Sequence, residues 1–557
     1  MTERMTGRDA FLRLLVDEGV THLFGNPGTT ELAIMEALPR FPELKFVLGL
    51  QESVVLSMAD GFARASRSLA AVSLHAAPGL GNAIGALYSA KFSGSPLIVT
   101  AGQHEIGYGL QEPLLYEPLV PIAQPLVKWA VEVSRVEDLP RIMRRAAKLA
   151  LTPPMGPVFI SLPGSILDDE ADLDLQHSTR VDAATHPSDE ALIRLADTLL
   201  AAKRPVMIAG RELADRHAFA EAEELATILG AAVYHEPVPY NARFPTNHPA
   251  CMGDLTRNQR KVRETLEQHD LLLCLGADLL RMSPFSTVDP LPGDIRVVHI
   301  SERDWELGKN YHTDTAIRAD VKESLRALLP VLRDRRTAEQ KQAAEQRLEA
   351  LASKNWMARV DAACAEAAKE SEGSIDPRTL MALVVDSLPD HATVVEEALT
   401  ASAALSDFLR IRDADSFFGL ASGGLGFAMP GAIGISLAQP GRPVVAAIGD
   451  GSAMYGIQAL WTAAHLKLPI TYVIINNRSY RIIKERLVAN RHSSQFIGMD
   501  LRDPSIDFVA LAEGFGMTAR RVTDLRDVAG VMRATIDSGQ PNLIEFVVDD
   551  GFGNRDR

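Results

Sequence analysis

The residues best suited to chemistry in this chain are Gly449-Asp450-Gly451-Ser452 and, further along, Asn476-Asn477. Before the first of these, Val444-Val445-Ala446-Ala447-Ile448 is a short β-branched and apolar run, which places Gly449 at the end of a buried strand. A Gly-Asp-Gly turn lets the backbone approach an anion closely, and Ser452 is placed to open a helix whose N–H groups face that anion. Ile470-Thr471-Tyr472-Val473-Ile474-Ile475 reads as a second strand, delivering Asn477 to the same sheet edge. A carboxylate, an amide oxygen and a main-chain carbonyl leave positions open for water and phosphate oxygens, a donor set that suits Mg²⁺. Gly-Asp-Gly alone would equally fit an ordinary strand-to-helix turn. The asparagine pair at this distance is what favours a cation beside a phosphate.

Elements must carry these groups to one place, and the chain has length for about three domains at 557 residues. Three stretches alternate short apolar strands with amphipathic helices, the pattern of doubly wound α/β domains with parallel sheets. The first spans 1–168 and the second 187–335, where Asp270-Leu271-Leu272-Leu273-Cys274-Leu275-Gly276 is a clear strand. An Ala-, Glu-, Lys- and Arg-rich stretch at 336–374 reads as a helical connection, and the third domain spans 375–557. A net charge of −15 argues against nucleic-acid or anionic-membrane partners. No apolar run approaches the ~18 residues of a membrane span. Cys251, Cys274 and Cys364 are too scattered for a disulfide framework or metal cluster. The N-terminal residues are polar and show no signal-peptide pattern, so the expectation is a cytoplasmic enzyme.

Further motifs lie in the first domain: Phe24-Gly25-Asn26-Pro27-Gly28-Thr29-Thr30-Glu31, Leu50-Gln51-Glu52, Leu74-His75-Ala76-Ala77-Pro78-Gly79 and Gly81-Asn82-Ala83. With Gly423-Gly424-Leu425-Gly426 and the Asp450/Asn477 pair, they make the chain resemble the thiamine-diphosphate-dependent 2-oxoacid decarboxylases over nearly its whole length. Within that family it looks most like the benzoylformate decarboxylases. The resemblance implies thiamine diphosphate and Mg²⁺ as cofactors, held in a homodimer or homotetramer with active sites at the subunit interface. Gly79-Leu80-Gly81-Asn82 also suggests a dinucleotide loop, but Thr100-Ala101 stands where an acidic residue should close the next strand.

Decarboxylation leaves a carbanion that needs an electron sink; the cofactor supplies it and the protein supplies orientation and electrostatics. The resemblance assigns Asp450, Asn477 and the main-chain carbonyl of Ser479 to Mg²⁺. It brings Asn26, Pro27, Gly28, Thr400, Gly423, Gly449, Gly451, Ser452 and Tyr480 to the cofactor, with Leu425 wedging its two rings into a bent geometry. Glu52 matches the carboxylate that activates the aminopyrimidine, and His75 a family active-site histidine. Thr29 stands where benzoylformate decarboxylases carry a serine that meets the substrate carboxylate. A second catalytic histidine, expected near Ser283, is missing, and His104 is the candidate to replace it. Leu114, Leu115, Ile482 and Ile483 are candidate walls for an apolar, aromatic-substituted 2-oxoacid. Lys484-Glu485-Arg486 reads as a solvated helix face, or else as recognition of a more polar substrate. Non-oxidative decarboxylation is the leading activity; carboligation or C–C lysis, as in acetolactate synthase or benzaldehyde lyase, is the alternative.

Overall fold

The apolar runs become strands of three six-stranded sheets, with a two-stranded ribbon pairing Glu3–Thr6 to Glu170–Leu173. This computed structural model describes residues 2–238, 240–282, 285–367 and 375–551. The chain forms two compact units: Met1–Asp182 with Pro389–Thr400 and Leu420–Arg557, and Ala183–Leu388 with Ala401–Gly419.

In the first unit, one parallel sheet runs Lys45–Leu48, His22–Gly25, Ala70–Leu74, Leu97–Gln103, Val158–Pro163, Ala130–Glu132. Five of the six strands of a second lie in this unit, in the order Thr393–Glu397, Val444–Gly449, Ile470–Asn476, Asn542–Val547, Thr518–Val522. Beyond the outermost Lys45–Leu48, the two share one succession, with the last-formed strand lying inside the one before it. Ala70–Leu74, Leu97–Gln103 and Ile470–Asn476 are buried along their whole length, as expected of parallel strands covered on both faces.

Two helices join these halves. Glu52–Ser66 is buried from Val54 to Ala65, and Ala428–Ala438 from Ala428 to Ser436. Ala428–Ala438, apolar on every side, has no solvent face to offer and goes to the interior, and Glu52–Ser66 joins it with its Asp60 accepting from the Ser93 and Ser95 hydroxyls. A β-carbon at Gly434 would lie 1.9 Å from the Met58 carbonyl oxygen, and one at Gly61 2.3 Å from that of Gly431. The helices therefore touch backbone to backbone, and only glycine permits it. Arg64 lies over the Phe427 ring at 4.6 Å, and the Thr462 hydroxyl donates to the Leu48 carbonyl at 2.9 Å.

In the second unit the parallel order is Cys251–Asp254, Ala232–His235, Pro205–Ala209, Leu271–Leu275, Arg296–Ser301, Thr315–Arg318. Counted along the chain this is 3-2-1-4-5-6, the doubly wound order of dinucleotide-binding folds. The connection expected to be helical is so over Ala338–Ala352 and Trp356–Ala367. Among the described residues no helix is long and apolar enough to cross a membrane.

Candidate active site

Strands Val444–Gly449 and Ile470–Asn476 are parallel neighbours in register from Val444↔Ile470 to Gly449↔Ile475. Asp450 and Asn477 therefore leave the same sheet edge side by side. The Ser479 amide donates to Asp450 Oδ2 at 3.2 Å and to Asn477 Oδ1 at 2.9 Å, which brings the Ser479 main chain up against both side chains. Asp450, Asn477 and Ser479 are all buried. Burial pushes the Asp450 carboxyl up to about 6, while backbone N–H donors from Gly451, Arg478 and Ser479 pull the other way. Among the described residues no Lys, Arg or His pairs with Asp450. A buried carboxylate without a protein cation, beside an amide oxygen, is a fit for Mg²⁺. No group of three or more His, Cys, Asp or Glu that could hold a metal occurs among the described residues, so amide, carbonyl and phosphate oxygens would have to complete the shell.

Around this cluster, Ser452 is buried and Tyr480 half-buried. A β-carbon at Gly451 would fall 2.5 Å from the Tyr480 ring, so glycine makes room for that ring. The helix after Gly449 is only Asp450–Ala453, shorter than the helix expected to face an anion, so individual N–H groups rather than a macrodipole are what it offers. Thr400 is half-buried and Leu399 39% exposed at the neighbouring strand end. Gly423, at φ +83°, has open space where a β-carbon would go: its glycine serves the backbone conformation and not a crowded approach within this chain. Leu425 is half-buried. Beneath this loop, Glu397 accepts from the amides of Gly426, Phe427 and Ala428 at 2.6, 2.8 and 2.7 Å. Burial pushes the Glu397 carboxyl up to about 7 against the pull of those donors.

At the carboxyl edge of the first sheet, Gln51 caps the helix Glu52–Ser66 by accepting from the Ser53 and Val54 amides. Glu52 occupies the first turn, half-buried, and its Oε2 accepts from the Asn82 side-chain amide at 3.0 Å. His75 closes the next strand and precedes the helix Ala76–Ser93. Its Nδ1 lies 2.9 Å from Glu31 Oε2 and 3.0 Å from the Thr30 hydroxyl. The Thr30 hydroxyl donates to Glu31 Oε1 at 2.6 Å, and the Gly28 and Gly102 amides donate to the same carboxylate. A β-carbon at Gly28 would sit 2.2 Å from the His75 ring, so the Asn26-Pro27-Gly28 loop lies flat against the imidazole.

Thr29 is exposed beside this network, whereas Thr30 is the threonine that bonds within it. Sequence reasoning assigned no role to Glu31, Thr30 or Asn82. The Gly28-x-x-Glu31 spacing, realised as the Gly28 amide donating to Glu31 Oε2 at 2.9 Å, was the available signal for Glu31. His104 directly follows the strand Leu97–Gln103, in which Gly102 touches Glu31. Its Nε2 lies 2.8 Å from the Leu114 carbonyl oxygen, so one ring nitrogen is engaged by its own loop. The position near Ser283 lies outside the described residues. Leu114 and Leu115 are 85% and 37% exposed, Ile483 47%, and Ile482 half-buried.

The solvated-face reading fails for Lys484. This residue is buried, with Nζ 2.6 Å from Asp500 and 3.4 Å from Asp550, and lies over the Phe496 ring at 5.2 Å. Paired carboxylates repay the desolvation of its charge, and Glu485 and Arg486 remain on the wetter side of Arg481–Arg491.

Three family matches cover the chain: thiamine pyrophosphate enzyme N-terminal TPP binding domain over 5–114, central domain over 192–328, and C-terminal TPP binding domain over 400–546. The chain is 33% identical over 543 residues to benzoylformate decarboxylase of Pseudomonas aeruginosa, covering 97% of this chain and 98% of the relative. It is 27% identical to the acetolactate synthase isozyme 3 large subunit of Escherichia coli, over 98% of this chain and 94% of that one. Among solved structures, the thiamine diphosphate-dependent 4-hydroxybenzoylformate decarboxylase of Rhodococcus jostii RHA1 superposes with TM-score 0.86 at 33% identity, covering 98% and 99% of the two chains.

Proposed function

This chain belongs to the thiamine diphosphate enzyme family, and from that premise we propose that it decarboxylates a 2-oxoacid with an apolar, aromatic substituent, of the benzoylformate type, to an aldehyde and CO₂. The observation that carries the reading is the buried Glu31 carboxylate holding His75 and Thr30 together, with exposed Thr29 beside them. Such an edge presents a hydroxyl for a substrate carboxylate and an imidazole of fixed orientation for proton transfer.

Thiamine diphosphate, when bound, would supply the electron sink. Asp450, Asn477 and Ser479 would hold Mg²⁺ against its diphosphate, with Ser452 and Tyr480 alongside. Leu425 would press between its rings. Glu52, oriented by Asn82, would exchange a proton with its pyrimidine nitrogen. His75 would deliver or remove a proton at the reacting carbon, its Nδ1 held by Glu31 so that Nε2 faces outward. Thr29 would hold the substrate carboxylate, and Ile482 and Ile483 would exclude water from it. Leu110, Leu114 and Ile497 are 95%, 85% and 86% exposed, a large apolar exposure for a lone chain. This supports a homodimer or homotetramer in which each site takes its pyrimidine half from one subunit and its diphosphate half from the next.

The test is a product assay with purified protein, thiamine diphosphate and Mg²⁺, offering benzoylformate, phenylpyruvate, pyruvate and branched 2-oxoacids. Prompt aldehyde and CO₂ from benzoylformate is the expected result. Hydroxyketones as the main product, or no turnover of any of these acids, would replace it with the carboligase or lyase reading.

A further inference from the structure

We propose that Glu397 is a positioning residue: its buried carboxylate sets the height of the Leu425 wedge and so selects the bent form of the cofactor. This rests on the thiamine diphosphate reading above and deepens it. Glu397 ends the strand Thr393–Glu397, is 1% exposed, and both its oxygens are used. Oε1 accepts from the Gly426 amide, and Oε2 from the Phe427 and Ala428 amides. Three consecutive N–H groups thus converge on one charge immediately after Leu425, just where the chain turns from the glycine loop into the helix Ala428–Ala438.

The loop needs such an anchor because its own backbone is permissive. Gly423 and Gly426 sit at φ +83° and +107°, and Gly424 adds a third glycine before Leu425. A loop of this composition has many accessible conformations, and a side chain on it presses on a ligand only if something fixes it. On its far side the loop is fixed by the Phe427 ring beneath Arg64 and by the helix locked at Gly434. On that same side Glu397 holds the amides of Gly426, Phe427 and Ala428, the residues that directly follow Leu425. The adjacent carboxylate works on the other loop: Glu396 Oε1 accepts from the Ala398 amide at 2.7 Å, turning the chain towards Leu399 and Thr400. Neighbouring acids on one strand end thereby shape both the wedge loop and the loop assigned to the diphosphate.

Calorimetric titration of the full-length apoprotein with thiamine diphosphate, and separately with inorganic pyrophosphate, each with saturating Mg²⁺, tests this. Glu397→Gln turns an amide NH₂ towards backbone donors. It is expected to weaken thiamine diphosphate binding roughly tenfold or more, while pyrophosphate changes by less than about twofold. In a Leu425→Ala background, where the wedge is already gone, the same change should cost less than about a further twofold. Equal weakening of both ligands, or an undiminished cost in the Leu425→Ala background, would overturn the assignment and leave only a structural anchor. If Glu397→Gln does not fold, Glu397→Asp, which keeps the charge but retracts it by one methylene, is scored by the same comparison. A wild-type protein that fails to bind thiamine diphosphate would instead remove the cofactor reading, and this inference with it.

Discussion

The carboxyl edges of the parallel sheets in the two units are built from similar residues and arranged to opposite ends. In the first unit the edge carries acids with no Lys or Arg partner among the described residues: Asp450 among backbone amides, Glu52 beside Asn82, Glu31 beside His75. In the second unit several charges at this edge are answered by another. Arg211 lies 3.4 Å from Asp215 and over the Tyr240 ring, Arg216 pairs with Glu302 at 2.6 Å, and Lys309 with Asp278 at 2.6 Å. Glu212 accepts from the Ser301 hydroxyl and the Glu302 amide. The second unit has the strand order of a dinucleotide fold, and at its carboxyl edge these side chains engage one another.

Four changes test that contrast. The largest effect is expected at Glu52→Gln, which keeps the shape and the Asn82 contact but removes the proton acceptor: steady-state turnover should fall by roughly 10²–10⁴ with cofactor affinity little changed. Full retention of turnover would defeat the ring-activation role. Next, Asp450→Ala should raise the Mg²⁺ concentration for half-maximal activity by at least about 100-fold, and dialysis against a chelator should silence the wild type reversibly. An unshifted Mg²⁺ curve would place the metal elsewhere.

Glu236 is the counterpart in the closed edge. Burial holds its carboxyl up at about 8, against an ordinary value of 4.5, with Arg243 and Arg211 pulling it down. The fold therefore favours the protonated acid: this stabilisation is complete below about pH 4.5 and is lost as the pH rises to about 8. Glu236→Gln should remove that loss, raising the melting temperature of the second unit by roughly 2–4 °C at pH 8.5 relative to wild type, with turnover unaffected. Calorimetric scans giving the same shift at pH 5 and pH 8.5 would contradict this. The smallest expected effect is none: added FAD should change neither the visible spectrum nor turnover. A yellow protein would mean that the closed edge opens.

Much of the open edge was legible in the sequence. The β-branched runs before Gly449 and Asn477 make strands whatever surrounds them, and parallel pairing then forces Asp450 and Asn477 together. Thr30 and Glu31 were harder to read. Their importance depends on a cross-strand meeting with His75, about 45 residues away, which no local pattern encodes. Lys484 was misread for a related reason. A Lys-Glu-Arg run on a helix looks solvated, and only the approach of Asp500 and Asp550 from later in the chain makes burial of the lysine affordable. The closed edge of the second unit was invisible in sequence, since, apart from Arg211 with Asp215 one helical turn on, its pairings join residues tens of positions apart and none forms a motif.

The first unit is discontinuous: its parts lie at 1–182, 389–400 and 420–557, and the glycine contact between the Glu52 and Ala428 helices spans that interruption. On a ribosome the first half must wait, with its largely apolar helix Glu52–Ser66 unmatched, until more than two hundred further residues have been made. The second unit, nearly continuous, can be complete by then. Synthesis thus orders the folding: the part with a closed edge comes first, and the catalytic edges assemble last, at the cost of long-range closure and a prolonged exposure of sticky surface.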